Sequence, residues 1–194
     1  MMAGHARYTA VLDACVLYSI AVTDALMSLA TAGLYAAKWT VEIEHEWIRA
    51  LETARPDLSG RLNVRRDSMR AAIPDWEVPT AHWQRLGLAV ELPDPNDAHV
   101  LAAAIAGHAD CIVTENLRDF PADILNTFEI EAVDPDTFII HQWDLYPVVA
   151  IAAFKRMRAR RKKPESTPEE FADALESAGL VSTAERLREA AELI

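Results

Sequence analysis

Tyr8-Thr9-Ala10-Val11-Leu12 and Asp110-Cys111-Ile112-Val113-Thr114 decide the fold. Each is a short apolar run rich in strand formers. The first stops at Asp13 and the second before Glu115-Asn116, the pattern of a buried strand. Working outward, residues 88–92 and 130–133 are weaker strand candidates, each followed by Asp and Pro. Helical periodicity fills the intervals at 24–34, 40–52, 58–72 and 96–107. Strands alternating with helices require crossover connections, and hence a central, mostly parallel sheet flanked by helices. The fold class is α/β.

Beyond residue 144 the strand signals stop, and 145–159 reads as a helix that runs into a basic stretch. Two short helices follow. Thr167-Pro-Glu-Glu170 and Ser182-Thr-Ala-Glu185 both carry the Ser/Thr-x-x-Glu capping pattern, and Gly179 between them suits a helix C-terminus. The expected organisation is a domain over 1–144 with a helical C-terminal extension over 145–194. The chain has 194 residues, 51% hydrophobic and 25% charged, with five Trp, enough apolar surface for a sizeable core. Cys15 and Cys111 are too few for a disulfide framework and lack the paired spacing of a zinc site. The longest uncharged stretches, 25–37 and 145–154, fall short of the roughly 18 apolar residues that span a bilayer. No basic segment precedes an apolar run at the N-terminus, so the expectation is a soluble, cytoplasmic protein with no membrane partner.

Nineteen Lys and Arg against 30 Asp and Glu give a formal net charge of −11, which on its own disfavours a general nucleic-acid binder. The distribution says more. Lys155-Arg-Met-Arg-Ala-Arg-Arg-Lys-Lys163 collects seven cations in nine residues, which leaves 12 cations against 30 acids elsewhere. Lys155, Arg156, Arg158, Arg160, Arg161, Lys162 and Lys163 are therefore candidate phosphate contacts. A solvated helix end whose cations complement the helix dipole is the competing reading.

In an open parallel sheet, ligands bind beyond the carboxyl ends of the strands. Asp13 closes the first strand and Asp119 follows the strand ending at Thr114, so both should reach one crevice. Each could instead serve as a local cap. Asp94 reads as an N-cap with Pro95 at the first helical position, and Asp97, drawn on the helix that follows, projects with Val100, Leu101 and Ala104. A carboxylate on the apolar face needs a capping role, a paired cation or a metal ion. His99 lies roughly 170° around the same helix and reads as a structural or surface histidine. On the helix from Thr40, Glu42, Glu44 and Glu46 border a stripe of Trp39, Ile43, Trp47 and Leu51, and periodicity does not choose between Glu44 and Glu46. Carboxylates without a Cys or His cluster suit Mg²⁺ or Mn²⁺ rather than zinc.

Four motifs taken in order resemble the PIN-domain nucleases, and in particular the VapC toxins of bacterial toxin-antitoxin pairs. They are Val11-Leu-Asp13-Ala-Cys-Val16, Trp39-Thr-Val-Glu-Ile-Glu-His-Glu46, Leu92-Pro-Asp-Pro-Asn-Asp97-Ala-His-Val-Leu-Ala-Ala-Ala104 and Ile112-Val-Thr114-Glu-Asn116-Leu-Arg-Asp119-Phe120. The last two are the specific ones, and together the motifs cover residues 8 to 140. The resemblance implies a PIN-like three-layer fold, with the acidic quartet at Asp13, Glu46, Asp97 and Asp119 as catalytic and metal-holding residues. It is the resemblance, not helix geometry, that selects Glu46. Thr114 and Asn116 are implied as polar supports, Cys15 stands where many relatives have Ser, Thr or Asn, and the tail resembles a larger VapC-like subgroup with a helical extension. The implied activity is Mg²⁺- or Mn²⁺-dependent endoribonuclease action, with an RNA substrate, a VapB-like antitoxin and a homodimer as partners. Asp13 and Asp97 would hold the main ion, with Glu46 and Asp119 completing the shell directly or through water.

Two other readings compete. A haloacid-dehalogenase-type phosphatase also begins with strand and Asp, but needs a second Asp where this chain has Cys15. A non-catalytic RNA- or partner-binding module with the same fold would have no need of a full acidic quartet.

Overall fold

The computed structural model describes residues 8–160 and 165–194. Its centre is a four-stranded sheet in the order β2-β1-β3-β4. The strands are β1 (Thr9–Leu12), β2 (Ala36–Lys38), β3 (Cys111–Val113) and β4 (Glu131–Val133). All pairs are parallel, with Ala10 opposite Ala37 on one side and Cys111 on the other, and Ile112 opposite Ala132. Ala10, Val11 and Leu12 are fully buried, as are Cys111, Ile112 and Val113. The two deciding runs are thus the two central strands.

Helices α1 (Ala14–Tyr18) and α2 (Ile20–Thr31) connect β1 to β2. The long connection from β2 to β3 contains α3 (Val41–Ala54), α4 (Asn63–Ala72), α5 (Thr80–Gly87) and α6 (Ala98–Ala106), and α7 (Ala122–Leu125) lies between β3 and β4. Alanine favours the helix in α6, and its small side chains let the helix lie close to β1, β3 and α5. Because β2 lies on one side of β1 and β3 on the other, the strand order reverses between β1 and β3. That reversal opens a crevice at their carboxyl ends.

One strand expectation fails, and one strand goes unforeseen. Residues 88–92 form no strand: the segment follows α5 directly, and Leu88 is 88% exposed. The missing partner of β1 is Ala36-Ala37-Lys38, whose composition carries little strand propensity and whose pairing with β1 supplies the order. The other weak candidate, 130–133, forms β4 beside β3 as expected.

The extension comprises α9 (Pro147–Ala159), α10 (Pro168–Glu176) and α11 (Val181–Glu189), joined to the sheet by α8 (Pro135–Leu145). One hydrophobic cluster runs from Ala10 through Phe138, Phe154 and Leu175 to Ile194. Phe138 meets Tyr35 edge-on at 4.7 Å, and Trp143 stacks on Phe154 at 5.2 Å. The capping box at Thr167 and Glu170 forms as the sequence predicts, and Gly179 takes a left-handed φ of 93° after α10. The second box does not form. At the start of α11, Asp136 of α8 accepts instead from Ser182 N, Thr183 N and Thr183 Oγ1, at 2.7, 2.9 and 2.7 Å. Among the described residues no helix is long and apolar enough to cross a membrane.

Candidate active site

Asp13 leaves the end of β1 with its backbone in the ladder, Asp13 N donating to Val113 O at 3.1 Å. Its side chain is 4% exposed and closes the N-terminus of α1, with Oδ1 accepting from Ala14 N at 2.6 Å. The cap and the crevice position are therefore both realised. Oδ2 accepts from Thr114 Oγ1 at 2.7 Å and from the Cys15 thiol at 3.0 Å. These two donors are held in turn by the loop after β3: Asn116 N donates to Thr114 Oγ1 and Glu115 N to Cys15 Sγ. Burial, with the Asp13 charge beside it, pushes the Cys15 thiol up to about 12, so it remains a neutral donor. Thr114 supports Asp13 directly, whereas Asn116, a lining residue of the cleft, does so through its backbone.

Thr40 caps α3, accepting from Ile43 N at 3.1 Å, and the helix buries Ile43, Trp47 and Leu51. Here the structure separates the two glutamates. Glu44 is 1% exposed, accepts from Trp39 Nε1 at 3.0 Å and forms a two-pronged pair with Arg70, whose Nε lies 2.9 Å from Oε1. Glu46 faces the cleft. Its Oε1 lies 2.9 Å from His99 Nε2, and the His99 ring rests against Trp83 with centroids 6.0 Å apart. Burial alone would lower the His99 pKa, but the hydrogen bond and charge of Glu46 more than offset it, and the net shift is upward. His99 is thus structural, but at the site rather than away from it. The phase drawn from the sequence fails because Pro95–Asp97 is a 3₁₀ turn, so Asp97 and His99 do not share one continuous α-helix.

Asp94 accepts from Asn96 N at 2.9 Å as expected of the cap. Asp97 makes no capping hydrogen bond, and its carboxyl points into the cleft. Burial, followed by the charges of Asp13, Asp94 and Asp119, pushes it up to about 6. The cleft, of about 730 Å³, is lined by Asp13, Glu46 and Asp97 together with Glu115 and Asn116, and extends between α1 and α3. Asp119, in the 3₁₀ turn Leu117–Asp119, is near enough for its charge to act on Asp97 but is outside the lining residues.

The donor set is oxygen only, crowded with negative charge, and so chemically suited to a hard divalent cation. Among the described residues, no three Asp, Glu, His or Cys side chains form a closed ligand group. The arrangement is an open acidic cleft in which one carboxyl is raised by burial and by the negative charges around it.

The described part of the basic run is directed elsewhere. Lys155 Nζ donates to Leu193 O at 3.1 Å, and Arg158 to Ser166 O and Ile194 O. Arg160 pairs with Asp24 at 2.5 Å and reaches Ser28 Oγ. These three cations tie the extension to itself and to α2. Arg156 is exposed, and Arg161, Lys162 and Lys163 lie outside the described residues.

Comparison with known proteins agrees with this architecture. The PIN domain family matches residues 9–118, and the VapC50 C-terminal domain family matches residues 135–189. A Mycobacterium tuberculosis (strain ATCC 25618 / H37Rv) protein called "Putative ribonuclease VapC50" is 43% identical over 79 residues, covering 41% of this chain and 47% of that protein. The chain thus spans about half the length of that relative. No solved structure matches. With the PIN domain match over more than half of its length and the VapC50 C-terminal domain match over its last helices, the chain belongs to the PIN-domain family and carries a VapC50-type C-terminal extension.

Proposed function

We propose that the protein is a Mg²⁺- or Mn²⁺-dependent endoribonuclease and the toxin of a VapBC-type pair. The observation that carries this reading is the convergence of Asp13, Glu46 and Asp97, from three separate elements, on one cleft where burial and then its acidic neighbours raise Asp97. Asp13, Glu46, Asp97 and Asp119 are the residues that would hold the ion. When bound, it would lower the pKa of a water and neutralise charge developing on the phosphate. The chain's own contribution is positional. Thr114 and Cys15 fix one oxygen of Asp13, Ala14 N fixes the other, and His99 fixes Glu46. Asp97 supplies a carboxylate whose protonation is controlled by its crowding.

RNA as substrate is supported by the family and by the name of the relative. A VapB-like antitoxin, a homodimer and a cytoplasmic setting belong to the same proposal, as does the division at residue 144. The acidic excess favours a basic antitoxin segment, so the complex should weaken as salt rises. Of the basic run, Arg156, Arg161, Lys162 and Lys163 remain the proposed RNA contacts. Lys155, Arg158 and Arg160 have internal partners that compete with that role.

The absence of a closed ligand group among the described residues favours the second reading, a module that binds RNA or a partner without cleaving it. Incubating the purified chain with RNA in Mg²⁺ or Mn²⁺, alongside a chelated control and Asp97→Asn, separates the two. Metal-dependent cleavage lost in the variant supports the nuclease. Cleavage that survives chelation or Asp97→Asn sinks the metal-site assignment.

A further inference from the structure

The cleft is longer than the carboxylates need. Beyond Asp13 and Glu46 it continues between α1 and α3, over Ala50, Thr53 and Ala54, to Tyr18. On α3, Glu46, Arg49 and Thr53 fall on one face, and Arg49 is one turn, about 4.5 Å of rise, beyond Glu46. The floor between them is small and uncharged. A strand of polymer can lie in such a groove; a single metal-bound phosphate would not occupy it.

Arg49 is the only Lys or Arg among the residues lining this cleft. It is exposed, and among the described residues its guanidinium has neither an ion-pair nor a hydrogen-bond partner. Arg55, Arg66, Arg70, Arg160 and Arg188 engage carboxylates, whereas Arg49 is left open to the groove. Acidic side chains line the same cleft, yet Arg49 pairs with none of them. At the far end, Tyr18 closes α1 with its side chain 40% exposed, and among the described residues its ring stacks on no other and its hydroxyl makes no hydrogen bond. A planar ring and a planar cation facing one open groove match the two repeating elements of a single-stranded nucleic acid, base and phosphate.

We propose that the α1–α3 groove is a subsite for single-stranded RNA beside the scissile position, with Arg49 contacting a backbone phosphate and Tyr18 stacking a base. The proposal rests on the endoribonuclease reading and adds to it the two side chains that would hold the strand. Arg49 also offsets part of the repulsion that four acidic lining residues, Asp13, Glu46, Asp97 and Glu115, exert on an incoming phosphate. Both residues are binding residues whose loss acts on KM before kcat.

The test uses the full chain and a short mixed-sequence single-stranded RNA. Binding is measured across a salt series in the Asp97→Asn background, and cleavage kinetics in the parent background. Arg49→Ala should lower the slope of log K against log salt by about 0.7, the share of one phosphate contact on a single strand, and Arg49→Lys should restore it. Tyr18→Ala should weaken binding by about 5- to 150-fold with the slope unchanged, and Tyr18→Phe should hold the parental affinity. A duplex RNA of the same sequence should bind less tightly than the single strand, and Tyr18→Ala should narrow the difference. Arg85→Ala, an exposed cation on α5 outside the groove, should change nothing. If the parent cleaves in Mg²⁺ while Arg49→Ala and Tyr18→Ala both bind and cleave as it does, the subsite is wrong and the nuclease reading stands. A parent that neither binds nor cleaves RNA overturns both.

Discussion

Replacing Asp97 by Asn should stabilise the metal-free protein, and the size of the gain follows from the cleft. The Asp97 carboxyl is raised to about 6 by burial and by Asp13, Asp94 and Asp119, against an ordinary value near 4 for the unfolded chain. Between those values the unfolded chain releases its proton first, so stability is fully present below about pH 4 and is lost as pH rises through 6. The full gap corresponds to about 3 kcal/mol, but Asp97 is partly exposed and solvent screening reduces this to about 1 kcal/mol. Asn has the same shape and no charge. Asp97→Asn should therefore raise the melting temperature by about 2–4 °C at pH 8 in a chelator, with the difference vanishing near pH 4. Saturating Mg²⁺ or Mn²⁺ should reverse the order, since the parent gains about 2.7 kcal/mol at a hundred times its Kd and the variant far less. Scanning calorimetry at the two pH values, with and without metal, reads all four states. A variant no more stable than the parent at pH 8 without metal, or a difference that ignores pH, would refute the crowding on which the site depends.

Four further outcomes follow from other contacts in the structure. His99→Ala removes the donor that orients Glu46 and should lower metal affinity and cleavage by about 10- to 100-fold, with His99→Gln recovering part of the loss; equal metal affinity by titration calorimetry would deny it a positioning role. The His99 pKa is raised in the fold, so its stabilisation is present at acid pH and lost as pH rises through that value; parent and His99→Ala should differ more in denaturant midpoint at pH 6 than at pH 9. Arg70→Ala leaves the buried Glu44 unpaired and should cost about 3–5 kcal/mol in urea unfolding, whereas a loss under 1 kcal/mol would mean that Glu44 finds water or takes a proton cheaply. Asp136→Ala removes the only side-chain cap that the described residues give α11 and should cost about 1–2 kcal/mol, seen as faster amide exchange at Ser182 and Thr183.

The sequence marks the two central strands because burial on both faces demands an uninterrupted apolar run, and it places Asp13 and Thr114 at their ends for the same reason. β2 is invisible in Ala36-Ala37-Lys38 because its order comes from pairing with β1. Residues 88–92 look like a strand because alternation records composition, while exposure depends on the rest of the chain. Glu44 and Glu46 border one apolar stripe, and what separates them is Arg70 and Trp39 on one side and His99 on the other. His99 was hidden by its assumed phase, although Pro95 after Asp94 is a signal that the helix starts irregularly. Cys15 gives no sign of its hydrogen bond to Asp13 until the loop after β3 is in place to hold it.

The most direct test of the central claim is the position of Mn²⁺ in a crystal soaked at a near-saturating concentration, read from its anomalous scattering. The account predicts a peak in the cleft between the β1 and β3 ends, bound by oxygens of Asp13 and Asp97, with Glu46 and Asp119 reached directly or through water. A cleavage-competent protein whose Mn²⁺ lies away from these four carboxylates, or that shows no bound ion there, would contradict it.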